Sequence, residues 1–319
     1  MSSAPLALGA ARRRTALERA LGPAIADALS RGGVTEAMIN ADGRLWLDVA
    51  GRGLEETTIA LSSSDRDAAI RLIAHEAGEI VGEATPYLAT ILPGSSARVQ
   101  AVLPPLSTAP ILTIRKRPLR LFDLDDYMRD RVATAEQANV LRKAVLERRN
   151  IVVAGGTGSG KTTLLNALLA EPCFRDARVV ILEDTAELQC ASANAVQLLT
   201  RRGAPSVTMR DLVQMTLRLR PDRIVVGEVR DAAALEVLKA WNTGHPGGLL
   251  SLHANSAADA LARLEDLCIE ATGAAPSRMI AAAVNLIVFI ARSETGRVVT
   301  EIISVKGCEG GSYVLQARF

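Results

Sequence analysis

Gly155-Gly156-Thr157-Gly158-Ser159-Gly160-Lys161-Thr162 is the stretch that decides the fold. It fits G-x-x-x-x-G-K-[ST], and it stands in the setting that pattern needs. Ile151-Val152-Val153-Ala154 before it reads as a buried strand, and Thr163 to Ala170 after it reads as a helix. Glycines let the backbone curl so that its N–H groups face phosphate oxygens. The helix N-terminus adds partial positive charge at the same place. Lys161 can then reach the β- and γ-phosphates, and the Thr162 hydroxyl can ligate Mg²⁺. A glycine-rich turn that binds nothing has no need of strand, Lys-Thr pair and helix in this order. The chain is expected to bind a nucleotide through Gly155 to Thr163.

Outward from this loop, strands and helices alternate. The apolar strands are Ile151–Ala154, Val179–Leu182, Ile224–Val226 and Leu249–Leu252. Helices are expected near Lys161–Ala170, Thr208–Leu219 and Asp231–Trp241. Continuous apolar strands alternating with helices predict an α/β domain whose mostly parallel sheet is covered on both faces. Ligands in such sheets sit at the carboxyl ends of the strands. Upstream, Thr134 and Gln137 form a capping box that opens a helix ending near Arg149.

The N-terminal part reads differently. A helical apolar stripe runs from about Arg12 to Leu29. Asp42-Gly43 between two strand-like runs signals a hairpin. Ser64-Asp65 can cap a helix to about Val81, with Ile70, Ile73, Ala77 and Ile80 on one face. Residues 98–103 and 111–115 read as strands about a Pro-Pro turn. This predicts a smaller α+β N-terminal domain over residues 1–117. A charged, aperiodic connector over 118–132 and the α/β domain over 133–319 follow it.

Composition narrows the class. The 319 residues are 49% hydrophobic, enough for sizeable cores, and the net charge of +2 argues against strong direct DNA binding. Cys173, Cys190, Cys268 and Cys308 form no C-x-x-C pair, which disfavours a zinc ribbon and fits reduced thiols in a cytoplasmic protein. The longest apolar stretch, Ala281 to Ala291, is too short to span a bilayer. Any membrane contact is therefore expected to be peripheral.

Three further clusters fall at or just past strand ends. Glu183-Asp184, with Glu187 beyond, can hold Mg²⁺ through water or orient an attacking water, although Asp184 could equally cap a short helix. Arg223 to Val226 is an aliphatic strand ending in Gly227-Glu228. Gly227 stands where P-loop ATPases usually place an aspartate, which leaves the spot open for water-mediated Mg²⁺. Glu228 can polarise the attacking water, against the plainer reading of a glutamate paired with a neighbouring arginine. His245 and His253 bracket the strand Leu249–Leu252 without a third ligand for a metal. His253 could sense a γ-phosphate or contact Glu228, and His245 is expected to shape its loop. Among the arginines are Arg115, Arg117, Arg201, Arg202, Arg210, Arg218, Arg220 and Arg230. An arginine supplied in trans can speed phosphoryl transfer by roughly 10³–10⁵-fold, but the sequence does not single one out.

Together these residues resemble the secretion and traffic ATPase superfamily of type II and type IV secretion and type IV pili. Its four signatures occur in order: P-loop (Gly155–Thr163), acidic box (Glu183 to Leu188), Gly-Glu strand (Arg220 to Asp231) and histidine box (Thr243 to Ser256). Val34 to Asn40 and Ile114-Arg115-Lys116 are similar to its N-terminal signatures. Within the superfamily the chain looks closest to the TrbB-type conjugal-transfer ATPases. The four-cysteine zinc module of type II assembly ATPases is absent. The resemblance implies a RecA-like P-loop ATPase domain, ATP and Mg²⁺ as cofactors, and a homo-hexameric ring. The ring would belong to a type IV secretion complex at the cytoplasmic side of the inner membrane. It implies Lys161, Glu183 and Glu228 in catalysis, with Glu228 the water-polarising base. Thr162, Glu183 and Asp184 fall around the metal, and His253, Arg115 and Arg201 near the phosphates. Arg12 to Arg14 could touch anionic lipid, against the commoner reading of a solvated helix end. A type IV pilus or type II secretion motor, a RecA-like DNA helicase, a small-molecule kinase and a nucleotide-gated scaffold with little hydrolysis are the alternatives.

Overall fold

The computed structural model describes residues 22–319, except 24, 51, 93, 94, 96, 117–120, 202–204, 294 and 295. The arginines at 12–14, 117 and 202, the first half of the expected N-terminal helix and the start of the expected connector lie outside the described residues. The chain divides into two compact units, Met1–Leu119 and Arg120–Phe319.

The first unit is built on an antiparallel sheet of β1 (Val34–Ile39), β2 (Arg44–Val49), β3 (Gly53–Ala60), β4 (Tyr87–Ile91), β5 (Arg98–Val102) and β6 (Ile111–Arg115), in the order β3-β2-β1-β6-β5-β4. Helix α1 (Ser63–Glu76) supplies Ile70 and Ile73, both fully buried, to its core. The hairpin signal is realised at Gly43, whose φ of 89° suits glycine and whose Cβ would meet the Leu61 carbonyl at 2.3 Å. The expected extent of α1 is corrected. It ends at Glu76 with Ala77 as C-cap, because Gly78 takes a φ of 72°, and Ile80 beyond it is 86% exposed.

The second unit opens with a further correction. Residues read as connector include α2 (Leu124–Arg129), which has a capping box between Asp123 and Asp126. Leu124 and Tyr127 are buried against the core of this unit. A six-residue helix is too short to show a period, so its residues read as loop. Helix α3 (Ala135–Leu146) follows, capped as expected by Thr134 and Gln137.

The sheet of this unit contains β7 (Ile151–Ala154), β8 (Val179–Glu183), β9 (Ala195–Leu199), β10 (Arg223–Val226), β11 (Leu249–Leu252), β12 (Leu286–Ser293), β13 (Gly296–Glu309) and β14 (Ser312–Ala317). Its order is β14-β13-β12-β7-β11-β10-β8-β9. From β12 to β9 every neighbouring pair is parallel, and β13 and β14 add an antiparallel wing. Alternate strand residues face opposite cores. Val152, Val180, Val226 and Leu250 pack under α5 (Met209–Thr216), α6 (Ala233–Asn242), α7 (Ala257–Thr272) and α8 (Ser277–Ala283). Ile151, Val153, Val179 and Val225 pack under α2, α3 and α4 (Lys161–Leu169). Each fully buried aliphatic side chain contributes about 1.5–3 kcal/mol, so this two-faced burial fixes the register of every central strand.

The four strands expected from the sequence are present. The carboxyl ends of β7, β8, β10 and β11 share one edge of the sheet, because all four run parallel. No helix of the described residues is long and apolar enough to cross a membrane.

Candidate functional site

The loop between β7 and α4 owes its path to three glycines. A Cβ on Gly155 would lie 2.3 Å from the Ile290 carbonyl and 2.5 Å from Ser159 Oγ, so no side chain fits there. Gly158 and Gly160 have φ of 71° and 100°. Gly160 is the N-cap of α4 and supplies no side-chain bond, whereas Thr134 and Thr208 close α3 and α5 with capping boxes. The first N–H groups of α4 therefore stay available to an acceptor. Ser159 Oγ is buried without a hydrogen-bond partner in the same loop. An open helix end, an orphaned hydroxyl and a glycine cradle form a donor set that fits a phosphate chain.

Lys161 is 7% exposed, and its Nζ donates to the carbonyls of Gly155 and Gly156 at 2.9 Å each. It also lies 3.3 Å from His253 Nδ1. Burial lowers the Lys161 ammonium from its usual range; Glu228 opposes this and Arg230 adds to it. With Nδ1 of a neutral ring accepting from Lys161, the ring proton sits on Nε2. That atom is 2.8 Å from Glu228 Oε1. His253 is held below the usual imidazole range by burial first and then by Lys161, with Glu228 opposing. Glu228 Oε2 accepts from Arg230 at 2.6 Å, and Arg230 lies 4.0 Å from Asp184. Asp184 in turn accepts from Thr200 at 2.8 Å.

The sheet edge thus carries a continuous chain, Lys161–His253–Glu228–Arg230–Asp184, drawn from four strand ends. Within it, Glu228 Oε1 is buried and approached by His253 without the alignment of a hydrogen bond. The plainer reading of Glu228 is met at Oε2, which pairs with Arg230, and the expected contact of His253 with Glu228 is made at Oε1.

Glu183 is placed otherwise. It is 3% exposed, at the end of β8. Its Oε1 accepts from the backbone N–H of Glu187 and of Leu188, each at 2.8 Å, and its Oε2 from Gln197 at 2.5 Å. Burial raises its carboxyl above the usual range, and these donors oppose the rise. The expectation that Gly227 leaves a water-filled opening is corrected. A Cβ on Gly227 would lie 3.0 Å from Glu183 Cγ, so the glutamate side chain itself occupies that space.

The remaining expected residues scatter. Thr157 is exposed, while Thr162 and Thr163 are half-buried on the first turn of α4. Arg201 is exposed and its backbone pairs with Val207. Arg115 ends β6 in the first unit. His245 shapes its loop as expected, with Nδ1 3.2 Å from the Pro221 carbonyl. The four cysteines are free, and among the described residues no group of three or more His, Cys, Asp or Glu is arranged to hold a metal ion. Sequence reasoning missed Arg297, whose Nε donates to the Gly158 carbonyl at 3.3 Å. It lies at the start of β13, and nothing in the sequence places that strand beside the P-loop.

The family described as type II/IV secretion system protein matches residues 87–310. The conjugal transfer protein TrbB of Rhizobium radiobacter is 46% identical over 299 residues, covering 93% of this chain and 91% of its own. The X-ray structure of the Legionella pneumophila ATPase DotB is 23% identical, covers 86% of this chain and 76% of that one, and superposes with a TM-score of 0.58. The pilus retraction motor PilT with bound ADP is 19% identical, with coverage of 94% and 81% and a TM-score of 0.62. The two structures support the fold, and the sequence match supports the family: the chain belongs to the type II/IV secretion system proteins.

Proposed function

We propose that this protein is an ATP-hydrolysing motor of a conjugative type IV secretion system. The observation that carries the reading is the chain from Lys161 through His253 to Glu228, which ends on a buried carboxylate oxygen without an aligned donor. The likeness to a conjugal transfer protein over 93% of the chain supplies the setting.

In this reading Gly155 to Thr163 bind the phosphates and Lys161 neutralises the β–γ region. Bound Mg²⁺ would neutralise charge on the phosphate oxygens, with Thr162 as its direct ligand and Asp184 reaching it through water. Mg²⁺ usually takes one or two protein groups beside the phosphates, so this small donor set fits it. Glu228 Oε1 accepts a proton from the attacking water. His253 links that carboxylate to Lys161, so the arrival of a phosphate at the lysine is felt at the base. Glu183 holds the acidic loop in place. Arg115 and Arg201 are proposed to reach the phosphates, in the same subunit or from a neighbour. The protein acts as a homo-hexamer of two-domain subunits. It works on the cytoplasmic side of the inner membrane, among the components of the secretion complex.

The test is nucleotide binding and turnover by purified protein. Lys161→Ala should lose ATP turnover and most ATP affinity while keeping its melting temperature without nucleotide. Unaltered turnover by this variant would remove the site. A wild type that binds ATP and never hydrolyses it would be a nucleotide-gated scaffold instead.

A further inference from the structure

The geometry points to Arg297 as a further nucleotide-contacting residue, gripping the purine-nucleoside end on the side of the P-loop away from Glu228. The inference rests on the proposed nucleotide site. Strand β7 lies between β11 and β12. His253 and Glu228 follow β11 and β10, so the γ-phosphate end faces that side. The nucleoside end then falls to the β12–β13 side.

On that side the P-loop is lined by the antiparallel pair β12 and β13. The Ile290 carbonyl closes over Gly155, and a Cβ on Gly160 would lie 2.8 Å from Arg297 Cδ. Arg297 Nε donates to the Gly158 carbonyl, which leaves the other guanidinium nitrogens and the flat face of an exposed side chain available. A guanidinium forks onto phosphate and stacks on aromatic rings, the two surfaces a purine nucleotide offers.

Two features fix the position of β13 beside the P-loop. Pairing of β12 with β13 shifts between Phe289 and Ile290, level with the P-loop, and such bulges re-aim neighbouring side chains. Val299 is then pinned from both sides, its N–H to the Val132 carbonyl at 2.7 Å and its carbonyl to Gln137 Nε2 at 3.1 Å. Arg297 lies two residues away and inherits that fixed register.

A separate observation calls for an anion. Arg292 is the direct cross-strand partner of Arg297. Directly opposed residues share a face, and like charges there repel. A bound polyphosphate would relieve the repulsion.

Titration of wild type, Arg297→Ala and Arg297→Lys with ADP and with ATP, each with Mg²⁺, tests the inference. Arg297→Ala should weaken both nucleotides by a similar factor of about tenfold. Its kcat should stay within about threefold of wild type, and its melting temperature without nucleotide should not fall. Arg297→Lys should recover less than half of the lost affinity, because lysine lacks the planar fork. ADP affinity within twofold of wild type for Arg297→Ala, or a loss confined to ATP, would overturn the inference. Lys161→Ala is the control. If wild type and Lys161→Ala bind ADP equally, the nucleotide site itself fails. If only Arg297→Ala binds like wild type, the role of Arg297 alone fails.

Discussion

The segments after β8 and β10 leave one sheet edge from adjacent parallel strands, with Glu183 as the last residue of β8 and Glu228 two residues past β10. Glu183 meets three aligned donors, from Glu187, Leu188 and Gln197, and is 3% exposed. Glu228 meets one aligned donor, Arg230, and keeps Oε1 facing a neutral histidine. A carboxylate whose lone pairs are taken by backbone N–H groups fixes a loop, and the proposed function gives the one with an unaligned buried oxygen the proton of the attacking water. Residue type is alike, but Glu183 ends β8 whereas Glu228 lies two residues past β10, and the donors around each carboxylate differ with that step.

The comparison can be broken first at Glu183. Glu183→Ala leaves two backbone N–H groups of the acidic loop without acceptors, at about 1–3 kcal/mol each. The expected result is a melting temperature lower by on the order of 5–10 °C, read by calorimetry. An unchanged melting temperature would mean that the loop does not depend on this carboxylate. Next comes Gly227→Ala, whose new methyl must displace the Glu183 side chain from 3.0 Å. Overpacking of this kind should cost about 1–2 kcal/mol, measurable as a shifted urea midpoint. The double variant with Glu183→Ala should cost less than the sum, since the methyl then has room.

A smaller effect is set by pH. His253 is depressed below the ordinary imidazole value of about 6.5. The unfolded chain therefore takes up a proton first as pH falls. The stability linked to the neutral ring is complete above that value and is lost as pH drops from it toward the folded value. Urea midpoints at pH 7.5 and pH 5.5 should differ more for wild type than for His253→Asn, and equal slopes would contradict the placement of the ring beside Lys161. The smallest effect is expected at Arg230. Its side chain is 59% exposed, so Arg230→Ala should change stability by no more than about 0.5 kcal/mol. A larger loss would show that the arginine fixes Glu228 rather than only accompanying it.

Much of this arrangement is legible in the sequence for definite reasons. Ile151–Ala154, Val179–Leu182, Ile224–Val226 and Leu249–Leu252 are apolar runs bounded by turn residues, and a parallel sheet buried on both faces is the structure such runs form. The P-loop pattern is local, so its glycines, Lys161 and Thr162 follow from spacing alone. The antiparallel wing was not legible, because β13 mixes buried and exposed positions across a bulge. The fate of Glu183 was also hidden, since Gln197 comes from the next strand and meets it only through parallel pairing of β8 and β9. Arg297 is 136 residues beyond Lys161 in sequence and reaches the P-loop only because β12 pairs with β7.

The central claim is that Glu228, and not Glu183, handles the proton of the attacking water. The direct measurement is single-turnover hydrolysis of pre-bound ATP by wild type, Glu228→Gln and Glu183→Gln, with ATP affinity determined for each. The account predicts that Glu228→Gln binds ATP within about threefold of wild type and hydrolyses it roughly 10²–10⁴-fold more slowly. Glu183→Gln should lose stability more than rate. Hydrolysis by Glu228→Gln at the wild-type rate, or a greater rate loss for Glu183→Gln than for Glu228→Gln, would contradict it.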